Sequence, residues 1–190
     1  MWSEGKIIEY LRTNLKPKRF EHSLSVRDTA VKLAKHYNFD VEKASLAGLV
    51  HDCAKDKSAD ELLEIAAKTG FDIGEVCMDS PKLLHGYAGA VIAKELMGIE
   101  DKDVLNAVHY HTTGRKSMSW LEKAIYIADY VEPIREFPGV DEMRKMVYED
   151  LDKTMIFAYD LTIKYVIDKG QMLHPDSIQG RNHLILESRR

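Results

Sequence analysis

The sequence predicts an all-α protein folded as a single domain, and three observations carry that expectation. Apolar residues recur at three- and four-residue spacing through most of the chain. Helix-start signals punctuate it: Ser58-Ala-Asp-Glu61 and Ser119-Trp-Leu-Glu122 are both Ser-x-x-Glu capping boxes, in which hydroxyl and carboxylate reciprocally satisfy two backbone N–H groups. No stretch alternates apolar and polar residues as a half-buried strand would, and no repeat or low-complexity linker divides the chain.

Residues 3 to 15 read as a first helix closed by Pro17. Arg19 to Asn38 follow with Phe20, Leu24, Val31, Leu33, Ala34 and Tyr37 on helical spacing, which sets His22 in the first turn. Asp40 is the N-cap of a third helix that buries Ala44, Leu46, Ala47, Leu49 and Val50 and carries His51 and Asp52 at its C-terminal end. Ser58 opens a fourth helix that runs to Gly70, and residues 71 to 79 read as loop. Ser80-Pro81 is a cap followed by a first-turn proline, so a fifth helix starts there, places His85 in its second turn and ends at Gly98. Asp103 to His111 form a shorter helix stopped by Thr112-Thr-Gly114. Ser119 opens the next, which carries Asp129 and ends before Pro133. Beyond Phe137-Pro-Gly139, residues 140 to 169 read as one helix with Gly170 as terminator, and the remainder as a polar, Gly-interrupted tail.

With 190 residues, 45% of them hydrophobic and 31% charged, the chain can bury a substantial core. Glu4, Lys6 and Glu9 interrupt the first ten residues, which excludes a signal peptide or membrane helix there and sets the expectation of a cytoplasmic protein. Cys53 and Cys77 lack Cys-x-x-Cys spacing and read as buried thiols in a reducing compartment. A net charge of −4 supplies no basic field for nucleic acid.

The chemistry centres on Gly48-Leu-Val-His51-Asp52-Cys-Ala-Lys55-Asp56. Burying an imidazole and a carboxylate in an otherwise apolar helix is costly unless a cation or hydrogen-bond partners receive them, and a divalent metal answers both. One His-Asp pair is a weak signal, but polar residues at helix ends or inside helices give the order His22, His51, Asp52, His85, His111, Asp129, spread over different helices except for the central pair. Imidazole and carboxylate without thiolate suit iron, manganese, cobalt or zinc rather than calcium, and six candidates suffice for two ions sharing a bridging carboxylate. His109 and His111 project about 200° apart on a helix, so only one can serve an ion, and His111 is the choice. For any single histidine the bland alternative is a satisfied core residue; His36 and His183 are read that way, and His174 stays open. Arg135, just past a proline-stopped helix, is a candidate phosphate clamp against the alternative of a solvated side chain, and Arg115 and Lys116 lean towards the solvated one. Tyr110, Trp120, Tyr126 and Tyr130 could stack a base, although aromatic residues at this spacing more often fill a core. No Walker-type glycine loop is present.

The wording of six ordered segments goes further. Lys18-Arg-Phe-Glu-His22-Ser, Gly48-Leu-Val-His-Asp-Cys-Ala-Lys55, Leu84-His-Gly86, Tyr110-His-Thr-Thr-Gly-Arg115, Ala128-Asp-Tyr-Val-Glu-Pro133 and Leu173-His-Pro-Asp176 resemble the YqeK group of HD-domain phosphohydrolases, over about residues 6 to 185. That group comprises bacterial symmetrical bis(5'-nucleosyl)-tetraphosphatases. The resemblance implies a single-domain HD-domain helical bundle over residues 1 to 190, with a core at about 18 to 133 and nucleotide-contacting C-terminal helices and tail at about 140 to 185. It implies metal-dependent hydrolysis of diadenosine tetraphosphate to two ADP, with an iron-type ion held by His22, His51, Asp52 and Asp129. Manganese or cobalt could replace iron, and a second metal has room. His85 and His111 would line the phosphate or second-metal side and share catalysis with Asp52, while Arg135 and the segment near His174 meet the nucleotide. Partners would be a dinucleoside polyphosphate or ADP, with no nucleic acid, no membrane and room for a homodimer. Competing readings are another HD phosphohydrolase acting on nucleotides or guanosine tetraphosphate, an HD-type di-iron oxygenase, and a nucleotide-binding regulator without turnover. A cyclic-di-GMP enzyme is disfavoured because no Gly-Tyr-Pro motif follows the dyad.

Overall fold

Helices in this chain start where a side chain can accept the unpaired N–H groups of a first turn. Ser3 accepts from Lys6, Asp40 from Glu42 and Lys43, Asp101 from Asp103 and Val104, and Asp150 from Lys153; Ser58 and Ser119 close complete capping boxes with Glu61 and Glu122. A computed structural model describes all of residues 1–190 and contains helices and no strand. These are α1 (Glu4–Asn14), α2 (Pro17–Tyr37), α3 (Val41–Val50), α4 (Ala59–Lys68), α5 (Gly74–Asp79), a 3₁₀ turn (Pro81–Leu84), α6 (His85–Glu95), α7 (Lys102–Tyr110), α8 (Trp120–Val131), α9 (Val140–Met146), α10 (Leu151–Asp168) and α11 (Pro175–Glu187).

The main core lies where α2, α3, α7 and α8 pack together, filled by Val26, Leu33, Leu49, Val108, Ile125 and Ile127. A smaller core of Leu62, Ala66, Cys77, Leu84 and Ala88 sits under α4, α5 and α6. The ends of α3, α6 and α7 converge beside α2 and α8, so residues at those ends meet without any one helix having to carry several polar groups into the core. Close approach of α6 to α7 depends on Gly86, where a Cβ would overlap the carbonyl oxygen of His109. No helix is long and apolar enough to cross a membrane.

Five local expectations need correction. Pro17 does not end α1 but opens α2, because a proline at the first helical position loses no hydrogen bond; α2 therefore starts two residues early and His22 lies in its second turn. Residues 71 to 79 contain α5, too short to show a period and masked by the Asp72–Gly74 turn, where the Asp72 carboxylate accepts the Gly74 N–H. Ser80 makes no side-chain cap: residues 81 to 84 form a 3₁₀ turn, and His85 is the first residue of α6, which gives way to a turn before Gly98. The span 140 to 169 is two helices. Asp150 restarts the chain as the cap of α10, while His36 and Tyr37 of α2 bind the carbonyls of Tyr148 and Val147 that α9 leaves unpaired. The tail is a helix too: Gly180 does not interrupt α11 but lets it lie against Tyr159 of α10, whose hydroxyl a Cβ would overlap.

Gly86→Ala is expected to destabilise the protein by about 1 to 3 kcal/mol, because backbone rather than a flexible side chain opposes the added carbon. Thermal unfolding checks it, and an unchanged midpoint would show that α6 and α7 can separate freely.

Candidate metal centre

A single carboxylate organises the site. Asp52 follows α3 directly, is 1% exposed, and presents its two oxygens to two different sets of side chains. Oδ2 lies 3.4 Å from His51 Nε2, 3.8 Å from His22 Nε2 and 2.7 Å from Arg19 Nη1. Oδ1 lies 3.2 Å from His85 Nε2, 3.4 Å from His111 Nε2 and 3.9 Å from the Lys55 ammonium. Asp129, on α8, approaches from the first side, with Oδ1 2.9 Å from His22 Nε2.

The imidazoles are aimed by their other nitrogens. Nδ1 of His51, His85 and His111 each lies 2.6 to 2.7 Å from the carbonyl oxygen three residues earlier, those of Gly48, Lys82 and Val108. A carbonyl only accepts, so Nδ1 carries the proton and, in the neutral ring, Nε2 turns its lone pair inward. His22 is oriented by Glu132, whose Oε1 lies 3.0 Å from its Nδ1. His85 Nε2 and His111 Nε2 then face each other at 3.0 Å, two lone pairs that need a proton or a cation between them. Nε2 of His22, Nε2 of His51 and Oδ1 of Asp52 are buried with no aligned hydrogen-bond partner, although charged groups lie near. Close but misaligned donor atoms are what a metal centre asks of its ligands. Two groups have ligand atoms close enough to hold an ion, His22/His51/Asp129 and His51/Asp52/His111.

Electrostatics agree with this arrangement. Burial would raise the Asp52 carboxyl, but His51, His111 and His85 hold it well below the usual carboxylate range. Asp129 is likewise held low against burial by His22 and Arg135. Burial pushes His85 down to about 4, against the opposing pull of Asp52, so its ring is neutral near pH 7. The nearest thiol, Cys53, donates to the Gly89 carbonyl and is raised by burial to about 12.

All six residues expected at the centre, His22, His51, Asp52, His85, His111 and Asp129, come together. His109 does not join them; its ring stacks on Tyr110 at 4.0 Å and meets Phe71 and Tyr87 edge-on. Arg135 reaches the centre by binding the carboxylate of Asp129 and its backbone oxygen, so it lies beside the cluster rather than in solvent. His174 is not part of the cluster. It caps α11 through Nδ1 and lines a cleft of about 740 Å³ that begins at Asp129, Arg135, Lys55 and Thr112 and continues along Tyr130, Phe137, Leu161 and Leu173. Tyr130 therefore borders a cavity, whereas Tyr126 is core. Arg115 is half-buried rather than free in solvent: it makes a two-point ion pair with buried Glu122 and lies over Tyr110.

Several residues carry no separate signal in the sequence. Arg19 and Lys55 reach Asp52, Thr112 Oγ1 lies 3.1 Å from His85 Nε2, and Glu132 is fixed by Ser25 Oγ and the Ile134 N–H, which with His22 hold its carboxyl low against burial. Arg144 of α9 donates to the carbonyls of Val131, Glu132 and Arg135, bracing the segment that bears Glu132 and Arg135. The general need of a ligating histidine for an acceptor behind it is the one reason to look for such a group.

Comparison with known proteins identifies this arrangement. Residues 19–134, more than half of the chain, match the HD domain. The chain belongs to the HD-domain family. It is 38% identical, over 98% of its length and 100% of the relative, to a symmetrical bis(5'-nucleosyl)-tetraphosphatase of Halalkalibacterium halodurans. It is 37% identical, over 92% of its length and 94% of the relative, to a protein of the same description from Bacillus subtilis. The crystal structure of a predicted HD superfamily hydrolase involved in NAD metabolism from Clostridium acetobutylicum superposes with a TM-score of 0.96 at 55% identity, covering 100% of both chains. HD domains bind divalent metals, and the His/Asp cluster of this HD-domain protein fits such an ion.

His111→Ala is expected to reduce metal retention and turnover far more than His109→Ala, measured by metal analysis of the purified variants; equal losses would remove His111 from the centre. Glu132→Gln should weaken metal affinity by about 10- to 100-fold while preserving helical content, because it loosens the acceptor that orients His22. Titration against a competing chelator checks this, and unchanged affinity would leave Glu132 a structural group only.

Proposed function

We propose that this HD-domain protein hydrolyses diadenosine tetraphosphate symmetrically to two ADP at an iron-type centre, with manganese or cobalt able to substitute. The carrying observation is Asp52, whose two oxygens face separate imidazole sets beside the large cleft that Asp129, Lys55 and Arg135 line. In this reading His22, His51, Asp52 and Asp129 would hold the first ion, and His85 and His111 line the side where a second could be held. A divalent ion there supplies Lewis acidity that lowers the pKa of water for attack on phosphorus and offsets charge on the phosphates.

The remaining steps belong to the chain's own residues. Asp52 and Asp129, held ionised by their surroundings, keep the donor set charged at neutral pH. His85 and His111 present Nε2 to the phosphate side. Lys55 Nζ lies 3.1 Å from His85 Nε2 and Arg135 lies at the cleft mouth, so each can donate to a bound phosphate. Tyr130, Phe137, Leu161 and Leu173 give the far end of the cleft an apolar lining that suits one nucleoside, and His174 stands at its side. Anchoring the nucleoside there and its phosphates at Arg135 fixes which phosphorus reaches the centre. Buried free thiols at Cys53 and Cys77 support a reducing, cytoplasmic setting.

Purified protein incubated with diadenosine tetraphosphate in oxygen-18 water should yield ADP as the sole nucleotide, with label in its terminal phosphate. Equal AMP and ATP would mean that the phosphate register is different, and no reaction on any dinucleoside polyphosphate would overturn the assignment.

A further inference from the structure

The metal cluster has a second opening. Beside the start of α2 lies a smaller one of about 290 Å³, which reaches His22 and shares Arg135 with its larger neighbour. Its walls differ in kind: Lys16, Lys18, Arg19 and Arg135 supply four cations, and Ile134 is the one hydrophobic lining residue. Three of the four face carboxylates, Lys16 facing Asp56, Arg19 facing Asp52 at 2.7 Å and Arg135 facing Asp129. Glu132 is engaged by His22, Ser25 and the Ile134 N–H, and Asp56 accepts the Lys16 backbone N–H at 2.7 Å, with the Lys16 ammonium 4.0 Å away. Lys18 has no carboxylate within ion-pair distance, and no side chain caps the N-terminus of α2, whose dipole adds to the positive field. His22 Nε2, on a side chain 7% exposed, has no aligned hydrogen-bond partner where the cleft meets the cluster.

We infer that this basic cleft binds the outer phosphates of the departing half of the substrate. The inference rests on the dinucleoside tetraphosphate reading above and extends it. A nucleoside bound in the large cleft sends its phosphate chain past Arg135 to the cluster, and the chain beyond the attacked phosphorus continues towards Lys16, Lys18 and Arg19. Compact and almost without apolar wall, the second cleft suits a diphosphate and offers no platform for a second base. The site therefore reads one nucleoside and the length of the phosphate chain, and leaves the second nucleoside in solvent.

Calorimetric binding to metal-loaded protein tests this with three ligands: ADP, and methylene-bridged, non-hydrolysable analogues of diadenosine tetraphosphate and of adenosine 5'-tetraphosphate. The unaltered protein should bind the two tetraphosphates within about threefold of each other, since the second adenosine contributes little. Lys16→Ala/Lys18→Ala should weaken both tetraphosphates by about tenfold or more and leave ADP affinity unchanged. Equal weakening of all three ligands, or of none, overturns the inference, as does strong preference of the unaltered protein for the diadenosine compound. Failure of the functional reading is separate: it appears as absence of diadenosine tetraphosphate hydrolysis by the unaltered protein, whatever the variant binds.

Discussion

A carboxylate withdrawn from water in the middle of a helical protein constrains everything around it. Leaving a buried ion unpaired costs several kcal/mol, so Asp52 dictates that cations or oriented donors surround both of its oxygens. The fold meets this demand by bringing helix ends, rather than helix faces, to one point. His51 and His111 are the C-caps of α3 and α7, where terminal carbonyls lack intrahelical partners, and their Nδ1 atoms take up the carbonyls of Gly48 and Val108. One hydrogen bond thus finishes each helix and aims each imidazole. His85 uses the same device at the junction of the 3₁₀ turn and α6.

Asp129 and His22 are held differently, and a second layer of side chains bears that load. Pro133 stops α8, and the chain after it turns so that Glu132 reaches back to His22 and Arg135 to Asp129. A short irregular segment would ordinarily be a loose support for ligands. Arg144 removes that freedom by donating to three carbonyls of the segment, and α9 exists in the position that lets it do so. Rigidity at the centre is therefore set partly by a helix that contributes no ligand.

What the sequence discloses and what it hides follow from the same physics. The capping boxes at Ser58 and Ser119 and the Asp40 cap are local, and a few neighbouring residues suffice to read them. The six ligand-type residues were legible because imidazole and carboxylate are conspicuous inside apolar helices. Glu132, Lys55, Arg19 and Arg144 are charged residues of ordinary kinds, and only the folded structure shows their partners, which for Arg19 and Asp52 lie 33 residues apart and for Glu132 and His22 110. The division of residues 140 to 169 stayed hidden because apolar spacing continues through the break, while the interactions that stabilise the break come from His36 and Tyr37 on α2. Gly180 misled for a related reason: it looks like a helix breaker until Tyr159 is seen to need its space.

The two clefts give the proposed chemistry an instructive asymmetry. A substrate with identical halves meets a site with unlike halves, one lined by Tyr130, Phe137, Leu161 and Leu173, the other by Lys16, Lys18 and Arg19. Identical products therefore cannot derive from symmetry of the protein. In the proposed reaction they would derive from counting: the depth of the apolar cleft would fix the nucleoside, Arg135 in the shared wall the first phosphates, and the distance from there to Asp52 the phosphorus that reacts. Because that count starts from one end only, product identity depends on how firmly Arg135 is held, and Arg135 is held by Asp129 at its guanidinium and by Arg144 at its carbonyl. Loosening either contact would blur the register before it abolished hydrolysis, so mixed AMP, ADP and ATP from an Arg144→Leu protein would be the mark of a site whose specificity is mechanical rather than recognised atom by atom.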